Sequence, residues 1–252
     1  MSLEEHPTEE FLSRLAEQAR ERGEESVVVE VGRDVAALWL AVGFRERARV
    51  LEAPVVALER RLASAKGPSF GSIHVQTDDV DGAVRAVRQY LPRMPGSSKG
   101  SVVAPPRNGW VAVYDELGDR NPEMLRRLAR ELSDRMGAVV LLLGVEEGAV
   151  VRFVLFERGR IMDEYLSVPT YHGEVPPGDV IALQANPTVV ARLTGADPAT
   201  VRQVVRTAGA PDELPAAAEL VREVARVLGV EGAEHGYVGA EAVPGALALS
   251  RE

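Results

Sequence analysis

A ten-residue segment, DEYLSVPTYH, holds the densest group of acid–base side chains in the chain. Side chains alternate between the two faces of a β-strand, so a strand here would place Asp163, Tyr165 and Ser167 on one face. Tyr171 and His172 would follow just beyond the end of that strand. The carboxylate, phenol and imidazole groups could then converge on a pocket rim and move protons. We therefore interpret this segment as a candidate catalytic site.

The same residues also allow a purely structural interpretation. Tyr165 and Tyr171 would pack with their hydroxyls at the surface, and the acids would cap an edge strand, where polar groups often collect. Asp115, at the end of the segment GWVAVYD, is a further candidate for the catalytic site. Acids before a loop more often form turns, so Asp115 also has two interpretations.

His74 is a candidate metal ligand. It lies in FGSIHVQT, ahead of Asp78, Asp79 and Asp81, an arrangement similar to the first strand of vicinal-oxygen-chelate modules, where a first-strand His binds the metal. Such a site needs further His or Glu ligands on matching strands, and the central strand has Trp110 to Tyr114 at the equivalent place. We therefore expect no metal site and no cofactor.

Residues 187–207 resemble the helix-turn-helix of bacterial regulators, with Ala191 at the contact between the helices and Gly195 in the turn. The patterned part of this segment carries three arginines against one aspartate, which is few cations for a surface that binds DNA phosphates. Two short core helices separated by glycine would have the same spacing. The candidate DNA-contacting residues on the second helix are Thr200, Arg202, Gln203 and Arg206.

Composition excludes several kinds of chemistry. The 252 residues include no cysteine, which removes disulfides, thiolate zinc sites, iron–sulfur clusters and cysteine nucleophiles. A net charge of −9 argues against a general nucleic-acid or anionic-membrane surface. The chain also lacks a nucleophile elbow, a Walker loop, a dinucleotide glycine fingerprint and HExxH. The sequence therefore names no reaction mechanism.

The apolar runs predict a soluble protein without a membrane span. The longest of them, residues 35–44 and 138–145, are far shorter than the roughly 20 residues that cross a bilayer. The first residues are acidic and interrupted by charge, unlike the basic start and apolar run of a signal peptide. We therefore expect a cytoplasmic location.

Hydrophobic spacing predicts elements along the whole chain. The N-terminal part should contain a helix and a small meander, although residues 35–51 could instead form a helix. The expected helices and strands before residue 100 are helix 8–22, strands 26–31, 35–42 and 48–53, helix 55–65, strand 70–77 and helix 80–91, followed by an exposed loop at 92–99.

The middle of the chain has the clearest pattern, a β-α-β-β-β module followed by alanine-rich helices. We predict an α+β protein with an antiparallel-dominated mixed sheet, flanking helices and a helical C-terminal segment. The expected divisions are 1–95, 96–178 and 179–252. The expected elements are strand 109–115, helix 123–136, strands 138–145, 149–157 and 161–168, and helices 179–184, 187–193, 198–208 and 215–228.

Four segments, NGWVAVYDE, RRLARELSDRMG, AVVLLLGVEEGAVVRFVLFERGRIMDEYLSVPTY and VLGVEGAEHGYVGAE, resemble an uncharacterised bacterial family without an assigned activity. The resemblance extends over about Phe70 to Glu241. It implies a shared α/β fold with a helical C-terminal portion, and it carries over no catalytic residue. The family tends to have an Asp-Ser-Asp type of turn between two strands, where this chain has Glu146-Glu147-Gly148.

Three functional hypotheses follow. The first is a binding or protein-interaction role, with a protein partner or a second copy of the chain, because no concentrated catalytic set stands out. The second is a small-molecule enzyme or ligand-binding domain that uses the site between Asp163 and His172. The third is a DNA-binding regulator that acts through residues 187–207.

Overall fold

An antiparallel sheet of seven strands organises the part of the chain that the computed structural model describes, residues 67–93, 98–119 and 121–250. The order across the sheet is β6-β5-β4-β1-β3-β2-β7, and each neighbouring pair is antiparallel. This confirms the predicted α+β class and its antiparallel sheet. The strands are β1 (Phe70–Gln76), β2 (Ser101–Val103), β3 (Trp110–Asp115), β4 (Val139–Glu146), β5 (Val150–Glu157), β6 (Arg160–Leu166) and β7 (Leu247–Leu249).

Helices cover both faces of this sheet. Two lie on one face, and the C-terminal helices lie on the other. Short 3-10 turns occur at Leu91–Arg93 and Pro211–Glu213. The helices in the described ranges are α1 (Val80–Tyr90), α2 (Pro122–Met136), α3 (Pro177–Ala182), α4 (Pro187–Thr194), α5 (Pro198–Val204), α6 (Ala217–Leu228) and α7 (Tyr237–Ala240).

The central strands are apolar at nearly every position because both of their faces are covered. Strands β4 and β5 pair over eight residues, from Val139 opposite Glu157 to Glu146 opposite Val150. A strand that is buried on both faces has a continuous hydrophobic sequence, whereas a strand with one exposed face alternates apolar and polar residues. The sequences VVLLLGVE and VVRFVLFE have this character.

Helix α2 has clear start and stop signals. The Asn121 side chain accepts hydrogen bonds from the backbone N–H groups of Glu123 and Met124, and proline follows at the first helical position. The helix ends at Gly137, which adopts the left-handed conformation with φ 62°. Its buried stripe packs on the sheet together with α1, which fixes this face of the fold.

Helix α6 closes the opposite face. Its buried side chains include Leu220, Val221 and Val224, and they pack in one cluster with Trp110 and Phe153 of the sheet. Helices α4 and α5 add residues to the same cluster. Helix α6 contacts β4 and β5, and Trp110 of β3 belongs to the same cluster.

The structure confirms the β-α-β-β-β module, with strand and helix bounds that differ from the predicted ones by one or two residues. Strands β2 and β7 were not predicted, because three residues are too few to show the alternation of side chains that marks a strand. The predicted helix 198–208 ends earlier, at Val204, so Arg206 follows α5 instead of lying on it. The predicted strand 161–168 ends at Leu166.

Several predictions lie outside the described residues. They are helix 8–22, strands 26–31, 35–42 and 48–53 with the helical alternative at 35–51, helix 55–65 and residues 94–97 of the loop. The divisions at 1–95, 96–178 and 179–252 stay predictions. Among the described helices, none has the length and apolar character needed to cross a membrane.

Candidate functional site

A cavity of about 650 Å³ opens between strand β3 and the C-terminal end of helix α6. Small-molecule sites in proteins are typically clefts of roughly 300–1,000 Å³ with apolar walls and a few polar groups. This cavity has both kinds of lining. Its residues are Ala104, Pro105, Arg107, Asn108, Trp110, Ala112, Tyr114, Arg222, Ala225, Arg226, Gly229, Val230, Glu231, Gly232, Glu234, His235 and Val243.

The floor of the cavity is built by alternate residues of β3. Trp110, Ala112 and Tyr114 project from one face of the strand toward the helix side. Trp110 is 4% exposed and Tyr114 is 1% exposed, so both rings are held rigidly by packing. The small side chain between them leaves room above the strand, which is why a cavity forms here.

Tyr114 and His235 join the floor to the segment that follows α6. The Tyr114 hydroxyl donates a hydrogen bond of 2.9 Å to the carbonyl of Gly232. The His235 ring stacks on the Tyr114 ring, with centroids 5.0 Å apart and planes inclined by 23°. His235 Nδ1 lies 3.0 Å from the carbonyl oxygen of Gly236 and must carry the proton, because a carbonyl only accepts. In the neutral ring, Nε2 is then an acceptor.

Three arginines stand on the rim of the cavity. Arg222 and Arg226 are four residues apart on α6 and therefore lie on the same side of that helix, while Arg107 lies in the connection between β2 and β3. Within the described residues, none of the three forms an ion pair. The two glutamates of the lining leave an excess of positive charge at this rim, in a chain whose net charge is −9.

Asn108 and Glu231 form a polar contact on the same rim. The Asn108 side-chain amide donates to Glu231 Oε1 at 3.2 Å and to the carbonyl of Gly229 at 3.5 Å. This contact ties the β2–β3 connection to the segment after α6. It also gives one of the two lining carboxylates a hydrogen-bond donor.

His74 lies in the sheet next to the cavity floor. Its cross-strand neighbours are Ala112 and Leu141, which share its face of the sheet. The side chain is fully buried, Nε2 is 2.9 Å from the Ser72 hydroxyl, and Nδ1 has no hydrogen-bond partner within the described part of the chain. Burial lowers the pKa of His74 to about 3, and His235 acts in the same direction. The imidazole is therefore neutral.

The residues described by the structure contain no cluster of three or more His, Asp or Glu side chains that could hold a metal ion. Around His74, the polar contact is with a serine hydroxyl, and the neighbouring strand positions are Ala112 and Leu141.

The structure places Asp163 and Tyr165 against the C-terminal helices. Asp163 Oδ2 accepts the backbone N–H of Asn186 at 2.9 Å, and burial raises the pKa of this carboxyl to about 6. Tyr165 is fully buried, packs on Phe153 and donates its hydroxyl to the carbonyl of Arg206 at 2.8 Å. Both side chains therefore hold the helical segment to strand β6.

Tyr171 and His172 contact the turn between β4 and β5. The Tyr171 hydroxyl donates to Glu147 Oε2 at 2.8 Å, and His172 Nε2 is 2.5 Å from Glu146 Oε2. Glu146 also pairs with Arg152 at 2.8 Å. The turn Glu146-Glu147-Gly148 therefore binds both Tyr171 and His172 through its two carboxylates.

Asp115 organises a turn from a fully buried position. Its carboxylate accepts hydrogen bonds from the hydroxyls of Ser98 and Ser101 and from the backbone N–H of Leu117. Burial nevertheless raises the pKa of Asp115. None of the five candidate catalytic residues lines the 650 Å³ cavity, and their contacts divide them among three places. Their catalytic role stays a prediction.

The candidate DNA-contacting residues lie on or just after α5. Thr200 donates its hydroxyl to Asp197 at 2.7 Å as part of the helix cap, while Arg202 and Gln203 are exposed. Arg206 is exposed beyond the end of the helix. Helices α4 and α5 pack against each other and bury side chains in the core, as the core-helix interpretation expects. DNA binding stays a prediction.

Sequence reasoning did not identify the cavity residues. Two local signals were present: the aromatic-Ala-aromatic alternation of Trp110, Ala112 and Tyr114, and the spacing of Arg222 and Arg226 by one helical turn. Neither signal shows that the two elements face each other, since more than a hundred residues separate them.

The resemblance to an uncharacterised bacterial family stays a prediction. Comparison of the chain with protein-family models, with curated proteins and with solved structures finds no match.

Proposed function

We propose that this protein binds a small molecule in the cavity between strand β3 and helix α6. The observation that carries the proposal is the cavity itself, about 650 Å³ in volume, with a rigid aromatic floor and several polar groups on its rim. Sites with this combination of size, apolar wall and convergent polar groups are the usual places for small ligands. Of the three hypotheses from the sequence, ligand binding gains most support, at a different place from the one expected.

The cavity walls are preorganised. Tyr114 links the floor to Gly232, and Asn108 links the β2–β3 connection to Glu231, so two independent contacts hold the walls together. A preorganised site loses less conformational entropy when a ligand binds. This supports a binding role in which the free protein already has the bound shape.

A filled-cavity variant tests the proposal. Ala112 is 6% exposed and lies between the two floor rings, so Ala112→Phe would place a ring in the cavity. The matched control is Ala218→Phe, the same change at an exposed position of α6. Val243→Trp fills the cavity from a second position and keeps the test valid if the buried Phe prevents folding.

Binding would be measured by saturation-transfer NMR with a library of aromatic fragments that includes neutral, anionic and cationic members. We expect fragments to bind the wild type and Ala218→Phe, and to lose binding in Ala112→Phe or Val243→Trp when circular dichroism shows native folding. Equal binding by all variants would place the ligands elsewhere, and absence of binding to the wild type would overturn the proposal.

Two further expectations from the sequence also stay predictions. They are a cytoplasmic location and a protein partner or a second copy of the chain.

A further inference from the structure

We infer that the ligand of this cavity is a flat, largely apolar molecule that carries one oxyanion, a carboxylate or a phosphate, which Arg222 and Arg226 hold. The inference rests on the proposed binding function and adds the chemical class of the ligand. Two features of the lining lead to it: the paired arginines and the aromatic floor.

The anion site is the pair of arginines on α6. One helical turn separates Arg222 from Arg226, so both guanidinium groups can reach the same group in the cavity. Each guanidinium carries five N–H donors in a planar fork that matches carboxylate and phosphate oxygens. Both side chains are exposed and neither has an ion-pair partner among the described residues, so no protein carboxylate has to be displaced.

Arg107 lines the cavity from a different element of the fold. It follows β2, whereas the other two arginines lie on α6, so the oxyanion would be enclosed by cations from two elements. Glu231 is held by the amide of Asn108 and Glu234 follows it along the chain. Three arginines against two glutamates leave the lining with a net positive charge, which favours an anionic ligand.

The apolar part of the ligand would lie on the floor. Trp110 and the stacked pair of Tyr114 and His235 supply aromatic surface, and Ala112 and Val230 add aliphatic surface. Trp110 and Tyr114 are almost fully buried, so a flat apolar ligand would stack on the partly exposed ring of His235 and contact the aliphatic surface beside it. An aliphatic ligand would lose this contact, and an ion without an apolar part would leave most of the cavity empty.

Matched probes separate these requirements. The probes are 2-naphthoate, 2-naphthyl phosphate and the neutral 2-naphthamide, with inorganic phosphate as an anion that has no apolar part. Each is titrated by calorimetry at low and high salt. The chain has two tryptophans, so a Trp39→Phe background also makes Trp110 the sole fluorescent tryptophan and reports on binding at the floor.

We expect at least one naphthyl anion to bind about tenfold or more tightly than naphthamide, as one or two charge-assisted hydrogen bonds would give. The combined change Arg222→Gln and Arg226→Gln should remove this preference without abolishing naphthamide binding. The matched control is Arg127→Gln with Arg130→Gln, two exposed arginines on α2, and it should keep the preference. The two naphthyl anions distinguish a carboxylate ligand from a phosphate ligand.

The outcomes distinguish the two proposals. Equal affinity for naphthamide and both anions, blocked by Ala112→Phe, would overturn the anion inference and leave the binding function in place. Inorganic phosphate that binds as tightly as naphthyl phosphate would overturn the requirement for a flat apolar part. Absence of binding by every probe, together with a negative fragment screen, would overturn the binding function itself.

Discussion

The hydroxyl of Tyr114 reaches the backbone carbonyl of Gly232, 118 residues later in the chain, with a hydrogen bond of 2.9 Å. This contact joins the C-terminal end of strand β3 to the segment that follows helix α6. The same tyrosine ring is stacked on His235. One side chain therefore sets both the floor of the cavity and the position of its upper wall.

Substitution of Gly232 should destabilise the protein more than the same substitution at Gly229. Both glycines are left-handed, with φ of 83° and 75°, so alanine costs about 1–2 kcal/mol in backbone strain at either position. A Cβ at Gly232 would lie 2.2 Å from the Tyr114 hydroxyl oxygen, whereas nothing lies within 4 Å of one at Gly229. We expect Gly232→Ala to cost about 1–2 kcal/mol more, because it also displaces the Tyr114 hydroxyl from its hydrogen bond to Gly232.

Urea unfolding of the two variants measures this difference, and hydrogen exchange of residues 229–236 shows where it arises. Tyr114→Phe, which removes only the hydroxyl, should raise exchange in the same residues. If both alanine variants lose the same stability, the contact between Tyr114 and Gly232 does not hold the cavity wall.

His74 should make the protein sensitive to mild acid. Its pKa falls from 6.5 in the unfolded chain to about 3 in the folded protein, because the imidazole is buried. Between these values the folded state binds fewer protons, so stability falls as the pH decreases from about 6.5 toward 3, by up to about 1.4 kcal/mol per pH unit. His74→Gln removes the titrating group and should flatten this part of the profile.

The measurement is the free energy of urea unfolding for wild type and His74→Gln from pH 8 to pH 4. The difference between the two proteins is the relevant quantity, since other groups titrate in the same range. It should be constant above about pH 7 and move in favour of the variant at lower pH. A constant difference over the whole range would contradict a buried neutral His74.

Sheet strands and their neighbouring helix could be predicted where the sequence marks both the apolar run and the residues that end it. The paired strands Val139–Glu146 and Val150–Glu157 are apolar runs of eight residues separated by a glycine turn, and Asn121, Pro122 and Gly137 mark both ends of α2. Strands β2 and β7 have three residues each, which is too short for a period. Their place in the sheet depends on long-range pairing alone.

The candidate site was harder to predict because its parts are far apart in the chain. The segment from Asp163 to His172 is dense in polar side chains, but its partners are the backbone of Asn186 and Arg206 and the side chains of the β4–β5 turn. The cavity is lined by β3 and by the C-terminal end of α6, which are distant in the sequence. A sequence pattern predicts which face of a helix or strand is apolar. It does not predict which helix packs on which strand.

Asp163 should destabilise the protein at neutral pH. Burial raises its pKa from 3.8 to about 6, although the N–H of Asn186 acts in the opposite direction. Between these values the folded state binds more protons than the unfolded chain, so this residue's contribution to stability falls as the pH rises from about 4 to about 6. Two pKa units correspond to about 2.7 kcal/mol, and partial exposure of the carboxyl reduces this to about 1 kcal/mol.

Asp163→Asn should therefore be about 1 kcal/mol more stable than wild type at pH 7 and equal to it near pH 4, since the amide oxygen can still accept from Asn186. Chemical unfolding at the two pH values measures this. A variant that is less stable at pH 7 would show instead that the ionised carboxylate supports the N-terminus of α4.

Glu164 should contribute more to stability than a comparable acid on the helix surface. Its two carboxylate oxygens accept hydrogen bonds from both terminal nitrogens of Arg126, at 2.7 and 2.9 Å, and Arg152 lies 4.0 Å away. Bidentate geometry and a shared network are the conditions under which an ion pair is worth more than the usual surface value. Glu164→Gln would leave two neighbouring arginines with less compensation, so we expect a loss of about 1–2 kcal/mol.

The matched control is Glu131→Gln, which breaks the pair between Glu131 and Arg135 four residues later on α2. Helix-surface pairs of this spacing contribute about 0.3–0.5 kcal/mol, so the control should change little. Urea unfolding at low salt and at 1 M salt compares the two variants, and the loss from Glu164→Gln should persist at high salt because its partners are mostly buried. Equal losses in the two variants would mean that the pair with Arg126 is an ordinary surface contact and does not fix helix α2 to strand β6.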